Sequence, residues 1–280
     1  MARIIAVANQ KGGVGKTTTA VNLAAALAAA RRSVLLVDLD PQGNATMASG
    51  VNKRDVAANA CGVLLEEVPI SEAIVGTAAL FDLLPGGSDL TAAELKLMDA
   101  LAREHRLKEQ LAPVVDRYDL ILIDCPPSLN LLTLNALTAA HGVLIPVQCE
   151  YFALEGLSSL LDTIKAVRRR LNPGLQIEGL LRTMYDVRNN LGNEVSAQLT
   201  QHFGDKVLRS IIPRNVRLAE APSHGQPIHL YDRSSRGAIA YIGLAGEMIR
   251  RERGHPGIPV AAPPAHEGAV LAAPTANHQD

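Results

Sequence analysis

A glycine-rich segment near the start of the chain constrains the fold more than any other feature of the sequence. Residues 11–18 read Lys-Gly-Gly-Val-Gly-Lys-Thr-Thr. The β-branched run from Ile4 to Ala8 precedes them and predicts a buried strand. The stretch from Thr17 to Ala30 follows and, being rich in alanine and leucine, predicts a helix. The chain therefore opens with a strand, a glycine loop and a helix.

The same alternation of apolar runs and helical stretches continues along the chain. Further strands are predicted at Ser33 to Asp38, Phe81 to Leu84, Asp119 to Asp124, Gly142 to Val147, Gln176 to Leu181 and Lys206 to Ile212. Helices are predicted at Thr91 to Val115, Asn130 to Ala140, Leu154 to Leu171, Glu194 to Phe203 and Arg236 to Arg251. We therefore expect an α/β fold with three αβα layers, a mainly parallel central sheet and ligands at the carboxyl ends of its strands.

Composition limits the remaining possibilities. Hydrophobic residues make up 48% of the chain and aromatic residues 3%, so one large aliphatic core is expected over residues 1–253. Residues 254–280 are rich in proline and alanine, which predicts a disordered tail. A net charge of −1 excludes a histone-like binder, and three scattered cysteines exclude a disulfide framework. With neither a signal peptide nor a long apolar span in view, we expect a cytoplasmic protein.

The glycine segment has the chemistry of a phosphate loop. Glycines let the backbone wrap around a phosphate with its N–H groups pointing inward, and the following helix directs its positive end to the same place. Lys16 is expected to reach the β- and γ-phosphates, and Thr17 to supply a hydroxyl to Mg²⁺. The general pattern has glycine at the position of Gln10, and here Lys11 follows it instead. The predicted nucleotide contacts in this loop are Lys11, Gly12, Gly13, Val14, Gly15, Lys16, Thr17 and Thr18.

Carboxylates follow two other predicted strands. Asp38 to Asn44 reads Asp-Leu-Asp-Pro-Gln-Gly-Asn, and a carboxylate in this segment can orient the attacking water or support Mg²⁺. Asp124 ends the apolar run Leu-Ile-Leu-Ile-Asp, which is the usual form of the carboxylate that holds Mg²⁺. The sequence therefore predicts an ATP site whose metal ligands are Thr17 and Asp124.

With these motifs identified, the chain strongly resembles the ParA/Soj branch of the deviant-Walker P-loop ATPases. The resemblance rests on Lys11 to Thr19, Asp38 to Asn44, Ile123 to Ser128, Val147 to Gly156 and Ile212 to Gly225. It implies a sandwich dimer around two ATP molecules, with Lys11 crossing to the partner's phosphates and Asp40 activating water, so that Lys11, Lys16 and Asp40 are the expected catalytic residues. It also implies non-specific DNA binding, hydrolysis stimulated by a ParB/Spo0J-type centromere-binding protein, and a location on the nucleoid.

The resemblance also assigns residues in the last third of the chain. The DNA-contacting arginines of the family match Arg188 and Arg217, and the loop near the adenine matches Pro213 and Asn215. From Arg182 to Arg236 there are eight basic and five acidic residues, an excess that suits salt-sensitive contacts with phosphates but also suits a solvated basic surface. Gln148 to Tyr151 receives no assigned role.

Three other functions compete with this interpretation. A membrane-associated positioning ATPase of the MinD type requires a C-terminal amphipathic helix, yet Met248 to Arg253 leads into a tail rich in proline, so no stable membrane binding is expected. A metal-delivery or nitrogenase-reductase-like ATPase requires cluster cysteines, and the spacing of Cys125 and Cys149 does not supply them. A promoter-binding regulator requires an additional N-terminal domain, whereas the first predicted strand begins at the start of this chain.

Replacement of the lysine at the end of the glycine loop tests this interpretation. Lys16→Ala removes the predicted clamp on the β- and γ-phosphates, and we expect ATP binding to be abolished in calorimetry with Mg²⁺ present. An unchanged nucleotide affinity in a folded variant would refute the role given to Lys16.

Overall fold

The computed structural model describes residues 2–151 and 153–254 and shows a single central sheet in this part of the chain. Its strands are β1 Arg3–Val7, β2 Val34–Asp38, β3 Val75–Gly76, β4 Asp82–Leu84, β5 Leu120–Asp124, β6 Gly142–Gln148, β7 Gln176–Tyr185 and β8 Val207–Pro213. They lie in the order β3-β4-β2-β5-β1-β6-β7-β8, and every described pairing is parallel except that between β3 and β4. The predicted mainly parallel sheet is thereby confirmed.

Helices cover both faces of the sheet. They are α1 Lys16–Ala29, α2 Asn44–Ala48, α3 Ala60–Leu64, α4 Ile70–Ala73, α5 Leu90–Leu97, α6 Arg106–Leu111, α7 Leu131–Ala139, α8 Ala153–Arg170, α9 Asn190–Phe203, α10 Val216–Glu220, α11 Ile228–Tyr231 and α12 Arg236–Gly254. Alternate residues of β1 point to opposite faces, so Ile4 and Ala6 join one apolar cluster with α7 and α8, while Ile5 and Val7 join another with α1 and α12. The result is the predicted three-layer αβα architecture.

The register of the central strands brings three carboxyl ends together. In the pairing of β1 with β5, Val7 lies opposite Asp124, and in the pairing of β2 with β5, Asp38 lies opposite the same residue. Because the three strands are parallel, the loops that leave them emerge at one edge of the sheet. The glycine loop and both carboxylate segments therefore converge there.

The single long helix predicted from Thr91 to Val115 is wrong. The chain instead forms α5, a 3₁₀ turn, α6 and a second 3₁₀ turn, and Ala102 takes a left-handed backbone conformation with φ 52°. Asn135 of α7 stabilises the break, because its side chain accepts from the Leu107 N–H and donates to the Arg103 carbonyl, at 3.0 and 2.8 Å. The break lets Leu107 and Leu111 pack into the core, so tertiary contacts override the helix propensity of this stretch.

Other differences are smaller. Strand β7 extends to Tyr185, beyond its predicted end at Leu181, because its outer residues pair with β8. Helix α12 ends at Gly254, and the predicted disordered tail from residue 255 onward lies outside the described residues. Among the helices in the described ranges, each is too short or too polar to cross a bilayer.

A glycine at the edge of the sheet provides a test of the packing that positions Asp38. A Cβ on Gly86 would lie 2.4 Å from the Asp38 carbonyl oxygen, a distance that requires the backbone to move. We expect Gly86→Ala to lower the free energy of unfolding in urea by about 1–3 kcal/mol.

The matched control is Gly243→Ala in α12. No described atom outside that helix lies within 4 Å of the added Cβ, so its stability should stay level or rise by up to about 1 kcal/mol. Equal stability of the two variants would contradict the close approach of Gly86 to Asp38.

Candidate functional site

The glycine loop leaves β1 in a fixed conformation. Asn9 is buried, its side-chain Nδ2 donates to the Pro146 carbonyl at 2.7 Å, and its side-chain Oδ1 accepts from the Lys11 N–H at 3.0 Å. Gly13 and Gly15 take left-handed conformations with φ 74° and 86°, which favour glycine because a side chain would be strained there. The sequence motif is therefore folded as a preorganised turn between β1 and α1.

The N-terminus of α1 is available to an anion. Gly15 occupies the capping position, and within the described part of the chain no side chain caps the helix. The first turn, Lys16 to Thr19, contains no acidic residue. Free amide groups and the helix dipole thus leave a positive site at the end of the glycine loop, as phosphate binding requires.

Lys16 begins this helix and is held in the site. Its side chain is largely buried, and its ammonium group donates to the Lys11 carbonyl at 3.2 Å. Burial lowers the pKa of Lys16, while the nearby Asp124, Cys125 and Asp40 act to raise it. Since Lys16 has no ion pair among the described residues, its charge is available to a phosphate.

Asp124 is fully buried at the end of β5. Neither carboxylate oxygen has a hydrogen-bond partner among the described residues, although the Thr17 hydroxyl lies close enough to affect the group. Burial raises the pKa of Asp124 well above its usual range, and Asp38 raises it further, whereas Thr17 and Lys16 lower it. A buried carboxylate without a donor is a costly arrangement that a bound cation would relieve.

The donor set at Asp124 fits Mg²⁺. The described residues contain no group of three or more His, Cys, Asp or Glu side chains able to hold a metal ion. Magnesium is usually held by one or two protein oxygens, with phosphate oxygens and water completing its octahedron. The Asp124 carboxylate and the Thr17 hydroxyl, next to the phosphate loop, are such a partial set.

The two aspartates after β2 have different environments. Asp38 is fully buried and accepts from the N–H and hydroxyl of Thr46 at 2.8 and 2.7 Å and from the Asp40 N–H at 3.2 Å. Burial raises the pKa of Asp38 above its usual range. The Asp40 carboxylate accepts from the Gln42 N–H at 2.9 Å. Asp38 therefore holds the segment in place, and the role of Asp40 toward a ligand stays a prediction.

Glu150, which has no role predicted from the sequence, contacts the loop directly. Its carboxylate forms an ion pair with the Lys11 ammonium at 2.9 Å and also accepts from the Gln148 side chain. The pair is half-exposed, so its contribution to stability is small. An acidic residue in an otherwise unassigned motif was the only sequence signal for this contact.

Strand β7 supports the loop from the other side. The Thr183 hydroxyl donates to the Val14 carbonyl at 2.8 Å, a contact between residues 169 positions apart that the sequence analysis missed. Near the end of β8, Asn215 caps α10 by accepting from the Leu218 N–H at 3.3 Å. Pro213 lines a groove together with Tyr185. The adenine contacts predicted for Pro213 and Asn215 stay predictions.

The two predicted DNA arginines follow neighbouring strands, Arg188 in the loop after β7 and Arg217 in α10 after β8. The Arg188 side chain is 86% exposed and pairs with Asp186 at 2.7 Å. The Arg217 side chain is 54% exposed and pairs with Glu220 at 2.8 Å. The structure thus brings both arginines to the surface, each already engaged by a carboxylate.

The chain matches one family model and is similar in sequence to known proteins. A family model described as an AAA domain matches residues 2–177. The chain is 54% identical over 249 residues to the sporulation initiation inhibitor protein Soj of Bacillus subtilis (strain 168), covering 89% of this chain and 98% of that protein. It is 50% identical over 254 residues to the chromosome partitioning protein ParA of Caulobacter vibrioides (strain NA1000 / CB15N), with coverage of 90% and 95%.

A solved structure of cobyrinic acid a,c-diamide synthase from Mycobacterium smegmatis, with bound ADP and magnesium, is also similar. Its TM-score is 0.81 at 42% identity, over 90% of this chain and 96% of that one. The similarity of fold therefore covers about the same share of the chain as the similarity of sequence.

Asp124→Asn tests whether the buried carboxylate serves a ligand rather than the fold. The substitution replaces a buried carboxyl group that has no described hydrogen-bond partner with a neutral amide of the same shape, so the protein without nucleotide should be at least as stable as the wild type. Mg²⁺ and ATP, which would add about 2.7 kcal/mol to the wild type at a hundredfold excess over the dissociation constant, should add little to the variant. Thermal melts with and without Mg²⁺ and ATP measure both effects.

The control for this substitution is Asp99→Asn, which changes an exposed carboxylate. It should leave both the stability and the response to Mg²⁺ and ATP unchanged. An Asp124→Asn protein that melts far below the wild type but responds normally would assign the carboxylate to the fold.

Proposed function

Since this chain belongs to the ParA/Soj family of P-loop ATPases, we propose that it is an ATP-hydrolysing DNA-segregation protein, acting as a nucleotide-dependent dimer on DNA. The relatives named for chromosome partitioning match over about nine-tenths of the chain. The synthase has a different activity in its name, so its similarity supports the fold and the use of adenine nucleotide with magnesium.

One observation carries the assignment to ATP hydrolysis. A helix N-terminus with no described cap, a buried lysine and a buried carboxylate without a described donor meet at the carboxyl ends of β1 and β5. Each of these groups is unfavourable where it lies unless a phosphate or a cation completes it. A magnesium-bound triphosphate supplies the negative charge that the helix end and Lys16 require and the positive charge that Asp124 requires.

Each residue of the site has its own role in the proposed reaction. The loop amides and Lys16 hold the β- and γ-phosphates and stabilise the negative charge that develops there during transfer. Thr17 and Asp124 would hold Mg²⁺, which when bound neutralises charge on the phosphate oxygens. Asp40 orients the attacking water, and Asp38 keeps that segment in place through its bonds to Thr46. Catalysis here depends on positioning and electrostatics.

Lys11 provides the proposed link to a second copy of the chain. In a sandwich dimer it reaches the partner's phosphates and acts as an arginine finger does. Within one chain its ammonium pairs with Glu150 at 2.9 Å. Because this pair is half-exposed and weak, it can exchange for a more strongly charged phosphate partner when two chains meet. Dimer formation would therefore depend on bound ATP.

The proposed cycle ends with release from DNA. The ATP-bound dimer binds duplex DNA without sequence preference through a surface that includes Arg188 and Arg217. A ParB/Spo0J-type centromere-binding protein stimulates hydrolysis, after which the dimer separates and leaves the DNA. We propose accordingly that the protein is cytoplasmic, associates with the nucleoid and makes no stable contact with membranes. Pro213 and Asn215 lie near the adenine in this proposal.

Asp40→Ala tests the hydrolysis step. The variant should bind ATP and dimerise as the wild type does, while its turnover falls about 100-fold or more because water is no longer oriented. The measurement is phosphate release with Mg²⁺ alone, with duplex DNA, and with DNA plus a ParB-type partner.

The pattern of stimulation separates the parts of the proposal. Wild-type turnover should rise when DNA and the partner are both present, and the Asp40→Ala protein should stay slow in every mixture. Wild-type hydrolysis that ignores both additions would contradict the segregation role but leave the ATPase assignment standing. Normal turnover of the variant would remove Asp40 from the mechanism.

A further inference from the structure

Five exposed arginines lie on the segments that follow β7 and β8. They are Arg188, Arg214, Arg217, Arg233 and Arg236, here called the arginine surface. The Arg214 N–H donates to the Tyr185 carbonyl at 3.2 Å, which joins the loops after β7 and β8. The Arg217 guanidinium lies 3.6 Å from Asp232, which joins α10 to the turn before α12. Arg236 lines the same groove as Tyr185, so it faces these loops.

Two of the five arginines are held by carboxylates of the same chain. Asp186 accepts from Arg188 Nε and Nη2 at 2.9 and 2.7 Å and from the Arg188 N–H at 3.0 Å. These hydrogen bonds lower the pKa of Asp186 to about 2. Glu220 pairs with Arg217 at 2.8 Å and also accepts from the Tyr231 hydroxyl at 3.2 Å.

The other three arginines are not engaged in this way. Arg214, Arg233 and Arg236 are exposed, and none of them has an ion pair or a side-chain hydrogen bond with another described residue. Five arginines and the carboxylates Asp186, Glu220 and Asp232 leave the surface with a net charge of +2. The arginines without an ion pair are thus different residues from the two that the family resemblance selects.

A phosphate that approaches this surface therefore meets two kinds of arginine. An unpaired arginine gains a phosphate partner and loses only water. A paired arginine must first give up its carboxylate, which is bidentate at Arg188 and accepts a single hydrogen bond at Arg217, and which competes with phosphate for the same N–H donors. Carboxylates of the chain thereby compete with DNA for the same guanidinium groups.

On the basis of the DNA-binding function proposed above, we infer that Asp186 and Glu220 limit the affinity of this surface for DNA by occupying Arg188 and Arg217. The unpaired arginines make the first phosphate contacts, and the paired ones add theirs only after exchange. The carboxylates recapture their arginines as each phosphate leaves. Such a surface binds duplex DNA firmly enough to hold a dimer and releases it when the dimer separates.

Removal of one competing carboxylate should strengthen DNA binding. In Asp186→Asn the bidentate partner of Arg188 is lost, so we expect the affinity for a labelled random-sequence duplex to rise about threefold or more at about 0.1 M salt. The logarithmic salt dependence should steepen by about 0.9, the value for one additional phosphate contact. The measurement is fluorescence anisotropy of the full chain with Mg²⁺ and a slowly hydrolysed ATP analogue. A gain of affinity cannot result from partial unfolding.

Two controls separate the exchange of partners from a general change in charge. Asp162→Asn makes the same charge change and frees Lys165, to which Asp162 is paired at 3.0 Å on α8, and it should leave DNA affinity unchanged. Asp186→Asn combined with Arg188→Gln should lose the gain, because no guanidinium is released.

The contribution of an unpaired arginine is tested in the same assay. Arg236→Gln should weaken binding and reduce the salt slope by about 0.9, whereas Arg31→Gln, which changes an exposed arginine between α1 and β2 at the opposite edge of the sheet, should do neither.

Three outcomes would overturn the inference: an unchanged affinity in Asp186→Asn, an equal gain in Asp162→Asn, or a gain that survives the Arg188→Gln substitution. A wild-type protein that binds no duplex DNA in any nucleotide state would instead remove the proposed DNA-binding function, and with it the basis of the inference.

Discussion

The parallel register of β1, β5 and β2 is the constraint on which the rest of the structure depends. It sets Val7, Asp124 and Asp38 side by side, so the glycine loop, the buried carboxylate and the Asp38–Asp40 segment leave the sheet at one edge. A shift of one residue in this register would turn each of these side chains to the opposite face. The apolar strand residues that fix the register therefore fix the nucleotide site as well.

This site is assembled at the expense of local stability. A carboxylate and a lysine are buried beside a helix end to which no described side chain supplies a cap, and in Asp124 neither oxygen finds a described partner. The aliphatic clusters on both faces of the sheet supply the stability that tolerates this arrangement. Because a bound nucleotide and cation would complete these groups, folding free energy and ligand binding are linked in this protein.

The loops that carry the arginine surface are connected to the same sheet. Thr183 of β7 holds the Val14 carbonyl, and two residues later the strand ends at Tyr185, whose carbonyl accepts from Arg214. The arginine surface thus adjoins strand β7, which contacts the phosphate loop through Thr183. Its carboxylates reduce its net charge, in keeping with the reversible DNA binding that we propose. Short-range ion pairs of this kind are sensitive to salt and easily exchanged.

The sequence by itself determined the strand, glycine loop and helix of the phosphate site, the parallel αβα fold and the position of Asp124, because glycine conformation and apolar periodicity act over a few residues. Only the tertiary structure decided that residues 91–115 break into short helices, that Glu150 pairs with Lys11, that Thr183 supports Val14, and that Asp38 is bonded to Thr46. The physical reason is that each of these features depends on a contact between segments distant in sequence or on the burial of one residue relative to its neighbour. Neither local propensity nor composition contains that information.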